Sequence, residues 1–425
     1  MSQQQPPGGA FATSACPHAQ LVTGEPERWD AHRDYRALRE QARVQQVVVP
    51  GGLVAWLVTG HAEAQQALTE PRLAHDMRRL PTADQGFGGR RYPDDIFAVE
   101  GRHLLNSDGP DHARLRAVLG PLLSRSATLR WRPLVDRVCA ELLDELAEAD
   151  TADLVADYAR PLPARVTAQI LGVGAGHVPR LTELTISMVT ARDPDLPAVH
   201  RDREELFRLW ARIIGAKRRE PGDDLLTRLL RSCDRGDLSP QELASVAWGV
   251  FSGGIASTTT AITAGAIELM RTTDPLGALA HEPDASRLVE EILRLTSPFA
   301  FAAWRFATES VTIGATTIPQ GSVVLVGLAA ANRDPRVFPV PDALAGRGHG
   351  RRAHLAFGRG AHYCPGAQLA RMEVATALTS LFERLPTLRL AVPESALRWR
   401  GVLLERCYEA VPVRTGAIRV ACSAR

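Results

Sequence analysis

The chain has 425 residues, a formal net charge of +2, 45% hydrophobic residues and six cysteines. A charge so close to zero argues against nucleic acid and acidic membrane surfaces as partners. The cysteines are scattered, with neither zinc-ligand spacing nor a disulfide framework, so a reducing cytoplasm is expected. The length allows either two or three ordinary domains or one large helical enzyme.

The N-terminus, residues 1–20, is polar and contains the run Pro6-Pro7-Gly8-Gly9, which predicts a disordered segment. It lacks an apolar h-region, so we expect neither a signal peptide nor an anchor. No other run approaches the roughly 20 apolar residues that a membrane-spanning helix needs. These features predict a soluble, cytoplasmic protein without membrane contact.

The first regular elements are expected between residues 47 and 68. Two apolar runs flank a Pro-Gly-Gly turn at residues 50–52 and predict a β-hairpin. A short helix should follow from about His61 to Leu68. The charged stretch 72–102 predicts a long mobile loop, and long loops in compact domains are often functional.

A helix with two basic residues on one face is predicted next. Asp108 can cap it, and Pro110 suits its first turn. His112 and Arg116 are four residues apart and therefore share a face. Two such donors can grip an anion such as a carboxylate. The alternative is an ordinary solvent-exposed face.

A series of amphipathic helices is expected from residue 127 to residue 233, with breaks near residues 172–174 and 193–194. A longer helix should then begin at Ser239, because Ser239, Pro240 and Glu242 form a capping-box pattern. This helix could extend to about Arg271, a length of ~48 Å.

The centre of that long helix contains residues that form helices poorly. Gly253 and Gly254 are followed by four consecutive hydroxyl residues at 257–260. This composition predicts a local opening of the backbone hydrogen bonds. Close packing of a neighbouring helix against small residues is the alternative.

The next segments predict a helix and several short strands. Glu291 and Arg294 are three residues apart on a helix and can pair. Phe299 and Phe301 alternate with alanine and should share one face of a strand, as a pocket wall or as core. Residues 311–326 predict three short strands. A helix at about residues 367–385 and a terminal hairpin should complete the fold.

A cysteine loop precedes the last of these helices: Phe357-Gly-Arg-Gly360-Ala-His362-Tyr-Cys364-Pro-Gly366. A Cys364 thiolate would gain from the helix dipole and from free backbone amides. The glycines would let the backbone approach a large flat group. Two alternatives are a buried small hydrophobe and a thiol nucleophile beside a histidine.

The loop resembles the haem-ligand loop of cytochromes P450. The family pattern places Phe, Gly, Cys and Gly where this chain has Phe357, Gly360, Cys364 and Gly366. The 112/116 pair, the weak central turn and the 291/294 pair occur in family order, so the resemblance covers roughly residues 20–420. It implies a mainly α fold with small β-sheets, in which residues 21–425 form one catalytic domain. A haem would lie between the long central helix and the cysteine loop.

The resemblance also implies a role for individual residues. Cys364 would be the axial thiolate of a haem b iron. The central turn would form the oxygen groove over the haem through Gly253 and Gly254. The haem propionates would be met by His112, Arg116, Arg305 and His362.

The chain departs from the family in two places. Where the family usually has Ala-Gly-x-acid-Thr, this chain has Gly253-Gly254-Ile-Ala256-Ser257. The carboxylate of the usual proton relay is therefore missing. Ser257, Thr258, an ordered water or a substrate group are candidate replacements. The third partner of the 291/294 pair is also not obvious, and the candidates are Arg347, Arg351, Arg352 and His354.

These observations predict a soluble, monomeric, bacterial-type P450 monooxygenase or oxidase of secondary metabolism. The resemblance implies O2 as co-substrate and electrons from a ferredoxin and its reductase, ultimately from NAD(P)H. Arginines near the loop are expected to form the docking face for the ferredoxin: Arg347, Arg351, Arg352 and Arg359.

The missing acid and the residues Phe299, Phe301 and Trp304 favour an aromatic substrate, such as a cyclic dipeptide. Oxidative C–C or C–N coupling, or desaturation, is the alternative to hydroxylation. A thiol hydrolase and a haem-based gas sensor are alternatives from other classes of protein.

Overall fold

The computed structural model describes residues 31–49, 54–80, 103–190, 197–279, 284–344, 354–401 and 406–416. The helices in these ranges are α1 Ala31–Gln41, α2 His61–Thr69, α3 Gly109–Leu119, α4 Arg125–Leu129, α5 Arg132–Ala147, α6 Pro161–Leu171, α7 Val178–Thr190, α8 Pro197–Arg219, α9 Leu225–Asp234, α10 Pro240–Met270, α11 Pro275–Leu279, α12 Asp284–Thr296, α13 Leu328–Ala331 and α14 Ala367–Arg384. The strands are β1 Val44–Val48, β2 Val54–Val58, β3 Leu73–Ala74, β4 Thr151–Asp153, β5 Arg305–Ala307, β6 Val311–Ile313, β7 Thr316–Ile318, β8 Val323–Val326, β9 Arg389–Leu390, β10 Trp399–Gly401, β11 Arg406–Tyr408 and β12 Pro412–Arg414.

The β-structure is confined to small sheets, and the predicted mainly α fold is confirmed. The largest sheet has the strand order β1-β2-β8-β5-β3. The predicted hairpin is its β1–β2 pair, whose register joins Val44 to Val58. The three strands predicted between residues 311 and 326 are β6, β7 and β8. The predicted terminal hairpin is the antiparallel β10–β11 pair.

The main hydrophobic core surrounds α10 and is built largely from α5, α6, α9, α12 and α14. Trp210 and Phe251 are almost fully buried and meet edge to face, with ring centroids 5.9 Å apart. Burying one side chain of this size contributes about 2 kcal/mol. A second cluster, which includes Leu57, Phe301 and Phe306, covers one face of the five-stranded sheet. α10 is therefore fixed from several sides.

The start of α10 has the predicted capping box. The Ser239 hydroxyl accepts a hydrogen bond from the Glu242 amide at 3.1 Å, and the Glu242 carboxylate accepts one from the Ser239 amide at 2.8 Å. Glu242 also binds Arg114 of α3 at 2.5 and 3.1 Å. This salt bridge joins the start of α10 to the helix that carries His112 and Arg116.

The predicted opening in the middle of α10 is absent, because the helix is continuous from Pro240 to Met270. The Ser257 hydroxyl instead donates to the Gly253 carbonyl at 3.0 Å, one helical turn earlier. Packing from several sides thus overrides the weak local preference of this turn.

The expectation that no segment could span a membrane needs correction. Among the described helices, α10 alone is long and apolar enough to cross a membrane. However, 78% of its apolar 18-residue stretch is buried inside the protein. A helix at the centre of a protein core satisfies the same two criteria, so this observation is weak evidence for a membrane.

The predicted pair of Glu291 and Arg294 is formed and buried, with N–O distances of 3.0–3.1 Å. The further partners of Arg294 are backbone carbonyls at 2.9–3.0 Å: those of Asn332, Pro341 and Ala343. Of the predicted side-chain partners, only His354 lies within the described residues. His354 binds Glu290 instead, at 2.9 Å. Arg347, Arg351 and Arg352 lie outside the described residues.

Other predicted features have mixed outcomes. Gly172 ends α6 with φ of +78°, at the predicted break. The region around Phe299 and Phe301 forms an isolated bridge from Phe301 to Gly327, and the strand itself begins only at Arg305. The N-terminal 20 residues, most of the loop at 72–102 and the break at 193–194 lie outside the described residues.

Candidate active site

A cavity of about 310 Å³ separates the centre of α10 from the cysteine loop. One wall is formed by α10, through Gly253, Gly254, Ser257 and Thr258. Cys364 lies on the loop side. Most of the remaining lining is apolar: Leu104, Leu119, Ile170, Val246, Phe299 and Phe301. The cavity therefore combines a thiol, a few hydroxyl groups and a largely hydrophobic surface.

The cysteine loop is held by backbone hydrogen bonds and by glycines. The Cys364 amide donates to the Phe357 carbonyl at 2.9 Å. Gly360 has φ of +77°, and a Cβ there would lie 3.1 Å from the Leu68 carbonyl oxygen. Gly360 is thus needed for packing against the end of α2 and does not line the cavity. Gly358 and Gly366 do line it.

The Cys364 side chain is partly buried and lines the cavity. Burial raises the pKa of the thiol, and the amides of Gly366 and Ala367 and the charges of Arg116 and Arg371 only partly offset the rise. The helix start alone therefore does not keep this sulfur ionised. A bound metal ion would, because a coordinated thiol loses its proton.

Four basic side chains, which we call the donor rim, cluster beside the cavity: His75, His112, Arg305 and His362. The ring of His362 lies between those of His75 and His112, with centroids 3.8 and 4.1 Å away. Arg305 is 3% exposed and donates to the carbonyls of Leu73 and Leu68, both at 3.2 Å. Buried positive and donor groups are thus concentrated at one edge.

The donor rim has several buried nitrogens without a well-formed hydrogen bond: both ring nitrogens of His75, Nε2 of His112 and Nε of Arg305. Burial, together with neighbouring positive charge, lowers the pKa of His75 well below its usual value and that of His112 to about 4. Burial lowers the pKa of Arg305 to about 10. An unsatisfied buried donor costs about 1–3 kcal/mol. An anion at this edge would remove that cost.

His75 was not identified from the sequence. It follows the two-residue strand β3 and has no periodic pattern around it. Asp108 positions it, because the Asp108 carboxylate accepts hydrogen bonds from the amides of His75 and Asp76 at 2.9 and 2.7 Å. The same carboxylate was predicted to cap α3, and it makes no such bond.

Arg116 holds the cysteine loop directly. Its Nη1 donates to the Tyr363 carbonyl at 2.6 Å, next to Cys364. Arg116 does not line the cavity, and neither does His112. Both residues contact the loop, His112 through the His362 ring and Arg116 through the Tyr363 carbonyl.

A network of three polar residues supports the loop from the other side. The guanidinium of Arg371 binds Glu290, lies 4.4 Å from the centroid of the Phe357 ring and donates to the Tyr363 hydroxyl at 3.1 Å. His354 is the third member, through its contact with Glu290. This network was also missed, because nothing in the local pattern joins α12 to α14.

The α10 wall contains both of the predicted hydroxyl residues as well as Gly253 and Gly254. Ser257 is half-buried and Thr258 is 3% exposed, and both line the cavity. Ala256 is 2% exposed and does not line it. Phe299 and Phe301 line the cavity as predicted, whereas Trp304 does not.

Comparison with known proteins decides the family. The cytochrome P450 family model matches residues 197–403. The chain is 36% identical to cytochrome P450 107B1 of Saccharopolyspora erythraea over 398 residues, which cover 91% of this chain and 96% of that protein. The chain belongs to the cytochrome P450 family.

Two further P450s extend the comparison. The chain is 36% identical to 6-deoxyerythronolide B hydroxylase of Saccharopolyspora erythraea over 392 residues, covering 91% of this chain and 96% of that protein. It also matches the structure of the tirandamycin C-bound P450 monooxygenase TamI, with 36% identity, a TM-score of 0.84 and coverage of 93% and 100%. This P450 is therefore a monooxygenase similar to tailoring enzymes of secondary metabolism.

The residues at the cavity fit the haem that the family implies. The thiol of Cys364 lines the cavity, as an axial ligand must. The unsatisfied nitrogens of the donor rim match the two carboxylates of a haem. Cys364 would bind the iron, and His75, His112, Arg305 and His362 would hold the propionates, with Arg116 fixing the loop.

Proposed function

We propose that this P450 oxidises a small, largely apolar secondary metabolite with O2, using electrons from a ferredoxin and ferredoxin reductase and ultimately from NAD(P)H. The observation that carries the proposal is that the Cys364 thiol and the donor rim border one largely apolar cavity. We also propose that residues 21–425 form one catalytic domain and that the protein is a cytoplasmic monomer.

The haem supplies oxygen activation when it is bound, and the protein's own residues set the conditions for it. The amides of Gly366 and Ala367 bond to the Cys364 sulfur and stabilise its charge. The apolar lining keeps bulk water away from the substrate. Ser257 and Thr258 bring hydroxyl protons to the α10 wall.

The proposed substrate is aromatic, for example a cyclic dipeptide with an aromatic side chain. Phe299 and Phe301 both line the cavity and offer ring faces and edges for stacking. Trp304 does not line the cavity and therefore contributes no ring to this surface. The absence of an acid at Ala256 favours a second candidate reaction, in which hydrogen atoms are removed and the substrate is coupled or desaturated.

A binding screen and one isotope experiment test these proposals. The shift of the haem's spin state should report tighter binding for cyclo(Tyr-Tyr) than for cyclo(Ala-Ala). Turnover with ferredoxin, its reductase, NADPH and ¹⁸O2 then separates the reactions. Label in the product indicates oxygen insertion, whereas an unlabelled product two hydrogens lighter indicates coupling or desaturation. Equal binding of both dipeptides would contradict an aromatic preference.

The same turnover experiment separates the enzyme from a gas sensor. A sensor would bind haem and CO but form no product when electrons are supplied. A thiol hydrolase would not take up haem at all.

The ferredoxin is proposed to dock beside the cysteine loop. Arg359 is exposed there, and the chain continues the positive charge with Arg347, Arg351 and Arg352. The double variant Arg351→Glu/Arg352→Glu, which leaves the cavity-lining Arg359 in place, should weaken ferredoxin-supported turnover while substrate binding stays unchanged. The matched control is Arg208→Glu/Arg218→Glu, on the exposed side of α8. Equal turnover in both double variants would contradict this docking face.

A further inference from the structure

Thr167 of α6 has a buried hydroxyl that finds no hydrogen-bond partner among the described residues. Its side chain is 2% exposed, and its Oγ1 makes no hydrogen bond. It nevertheless lines the same cavity as Cys364 and Ser257. A buried hydroxyl that faces a functional cavity without a partner is costly, and its retention needs an explanation.

The neighbour of this hydroxyl is the weak turn of α10. A Cβ added to Gly254 would lie only 2.9 Å from Thr167 Oγ1, so the hydroxyl lies directly against the Gly254 backbone. The Gly253 carbonyl, bonded to that backbone, currently accepts the hydrogen bond from Ser257 Oγ at 3.0 Å. Thr167 therefore approaches this short segment of α10 from the neighbouring helix α6, whereas Ser257 approaches it from within α10 itself.

This hydrogen bond limits what Ser257 can do. While its hydroxyl proton is directed at the Gly253 carbonyl, it is not directed into the cavity. Because α10 is continuous, that carbonyl also accepts the Ser257 amide, and a second hydroxyl donor would compete with the Ser257 hydroxyl for it. The side chain that a Cβ on Gly254 would meet is that of Thr167, and its hydroxyl makes no hydrogen bond among the described residues.

We propose that Thr167 is a positioning residue for Ser257: its hydroxyl takes over the Gly253 carbonyl, and the Ser257 hydroxyl turns into the cavity. The two arrangements contain the same number of protein hydrogen bonds and differ in which hydroxyl is left free. Thr167 thus determines when Ser257 can serve as a proton donor in a chain that lacks the usual acid. The catalytic value of this switch rests on the proposed oxygen chemistry, whereas its test is a stability measurement that does not depend on turnover.

A double-mutant cycle on the haem-loaded protein tests this directly. Thr167→Val keeps the shape and removes the hydroxyl. In the wild-type background it should leave the unfolding constant in urea unchanged or lower it, because an unsatisfied hydroxyl is removed. In a Ser257→Ala background, where Thr167 has become the partner of the carbonyl, the same change should raise the unfolding constant about tenfold. Equal effects in both backgrounds would overturn the proposal.

Two controls make the cycle specific. Thr167→Ser retains the hydroxyl and should behave like the wild type in both backgrounds. Thr185→Val removes another buried hydroxyl without a partner, one that does not line the cavity, and its effect should not depend on Ser257. A dependence as large as that of Thr167→Val would overturn the proposal. Loss of the thiolate–haem spectrum in the wild type would instead contradict the proposed function, so the two failures are distinguishable.

Discussion

The Arg371 guanidinium binds the Glu290 carboxylate through Nε and Nη2, at 2.5 and 3.1 Å. Glu290 belongs to α12, whereas Arg371 follows the cysteine loop on α14. Because Arg371 also packs over Phe357, the pair connects the core of the protein to both ends of the loop that carries Cys364. A buried carboxylate and two basic partners thus determine where the sulfur lies.

Replacing Glu290 should destabilise the protein in a pH-dependent way. Burial alone would raise the pKa of Glu290, but the hydrogen bonds from His354 and Arg371 lower it to about 2. The stabilisation is therefore fully present above the unfolded pKa of about 4.3 and is lost as the pH falls towards 2. Glu290→Gln should cost on the order of 3 kcal/mol in urea unfolding at pH 7, and this difference should shrink below pH 4.

The control for Glu290 is an exposed pair on α8. Glu204 and Arg208 are 2.6 Å apart, and both are about two-thirds exposed. Glu204→Gln should change stability by less than about 0.5 kcal/mol. If Glu290→Gln is equally mild, the loop does not depend on this contact.

His75→Phe should weaken haem retention, because it removes a buried donor from the edge where the propionates would lie. Transfer of haem to an excess of apomyoglobin should be about tenfold faster than in the wild type. His61→Phe is the control, since His61 is equally buried but does not line the cavity. Identical transfer rates for the two variants would exclude His75 from the haem site.

Ser257→Ala should divert electrons to hydrogen peroxide. Ser257 lines the cavity and directly follows Ala256, which stands at the position of the missing acid, and general acid catalysis typically contributes about 10²–10⁴-fold. We expect the fraction of NADPH recovered as peroxide to rise and product formation to fall about tenfold or more, with recovery in Ser257→Thr. An unchanged peroxide fraction would show that protons reach the cavity by another route.

Pro365→Leu should raise the reduction potential of the haem iron. Pro365 has no N–H, so the first amide after the ligand cannot bond to the sulfur, whereas those of Gly366 and Ala367 do. An added donor withdraws electron density from the thiolate, and a rise on the order of tens of millivolts is expected in spectroelectrochemical titration. Pro365→Ala adds the same amide with less bulk and should give a similar rise. A lower or unchanged potential in both variants would refute this explanation.

The sequence was informative wherever local chemistry determines structure. The capping box at Ser239, the helix break at Gly172 and the hairpin around residue 50 follow from the nearest few residues, and all three predictions agree with the described residues. Cys364 was expected at the cavity for a different reason, the resemblance of its loop to the haem-ligand loop of the family, and it does line the cavity.

The features that were missed depend on contacts distant in sequence. The additional partners of Arg294 are backbone carbonyls, which carry no side-chain signature. His75 is positioned by Asp108, 33 residues away. The open turn predicted in α10 was wrong because local propensity is weak compared with packing on several sides of a helix. The burial of Ala256 could not be inferred from the sequence either.

The central claim is that Cys364 is the thiolate ligand of a haem iron. The measurement is the absorbance spectrum of the dithionite-reduced protein with CO, recorded for the wild type, Cys364→Ala and Cys139→Ala. Cys139 is a fully buried cysteine outside the cavity and serves as the control. We predict the red-shifted band for which the family is named in the wild type and in Cys139→Ala, and its loss in Cys364→Ala. A wild-type protein without that band, or a Cys364→Ala variant that retains it, would contradict the account.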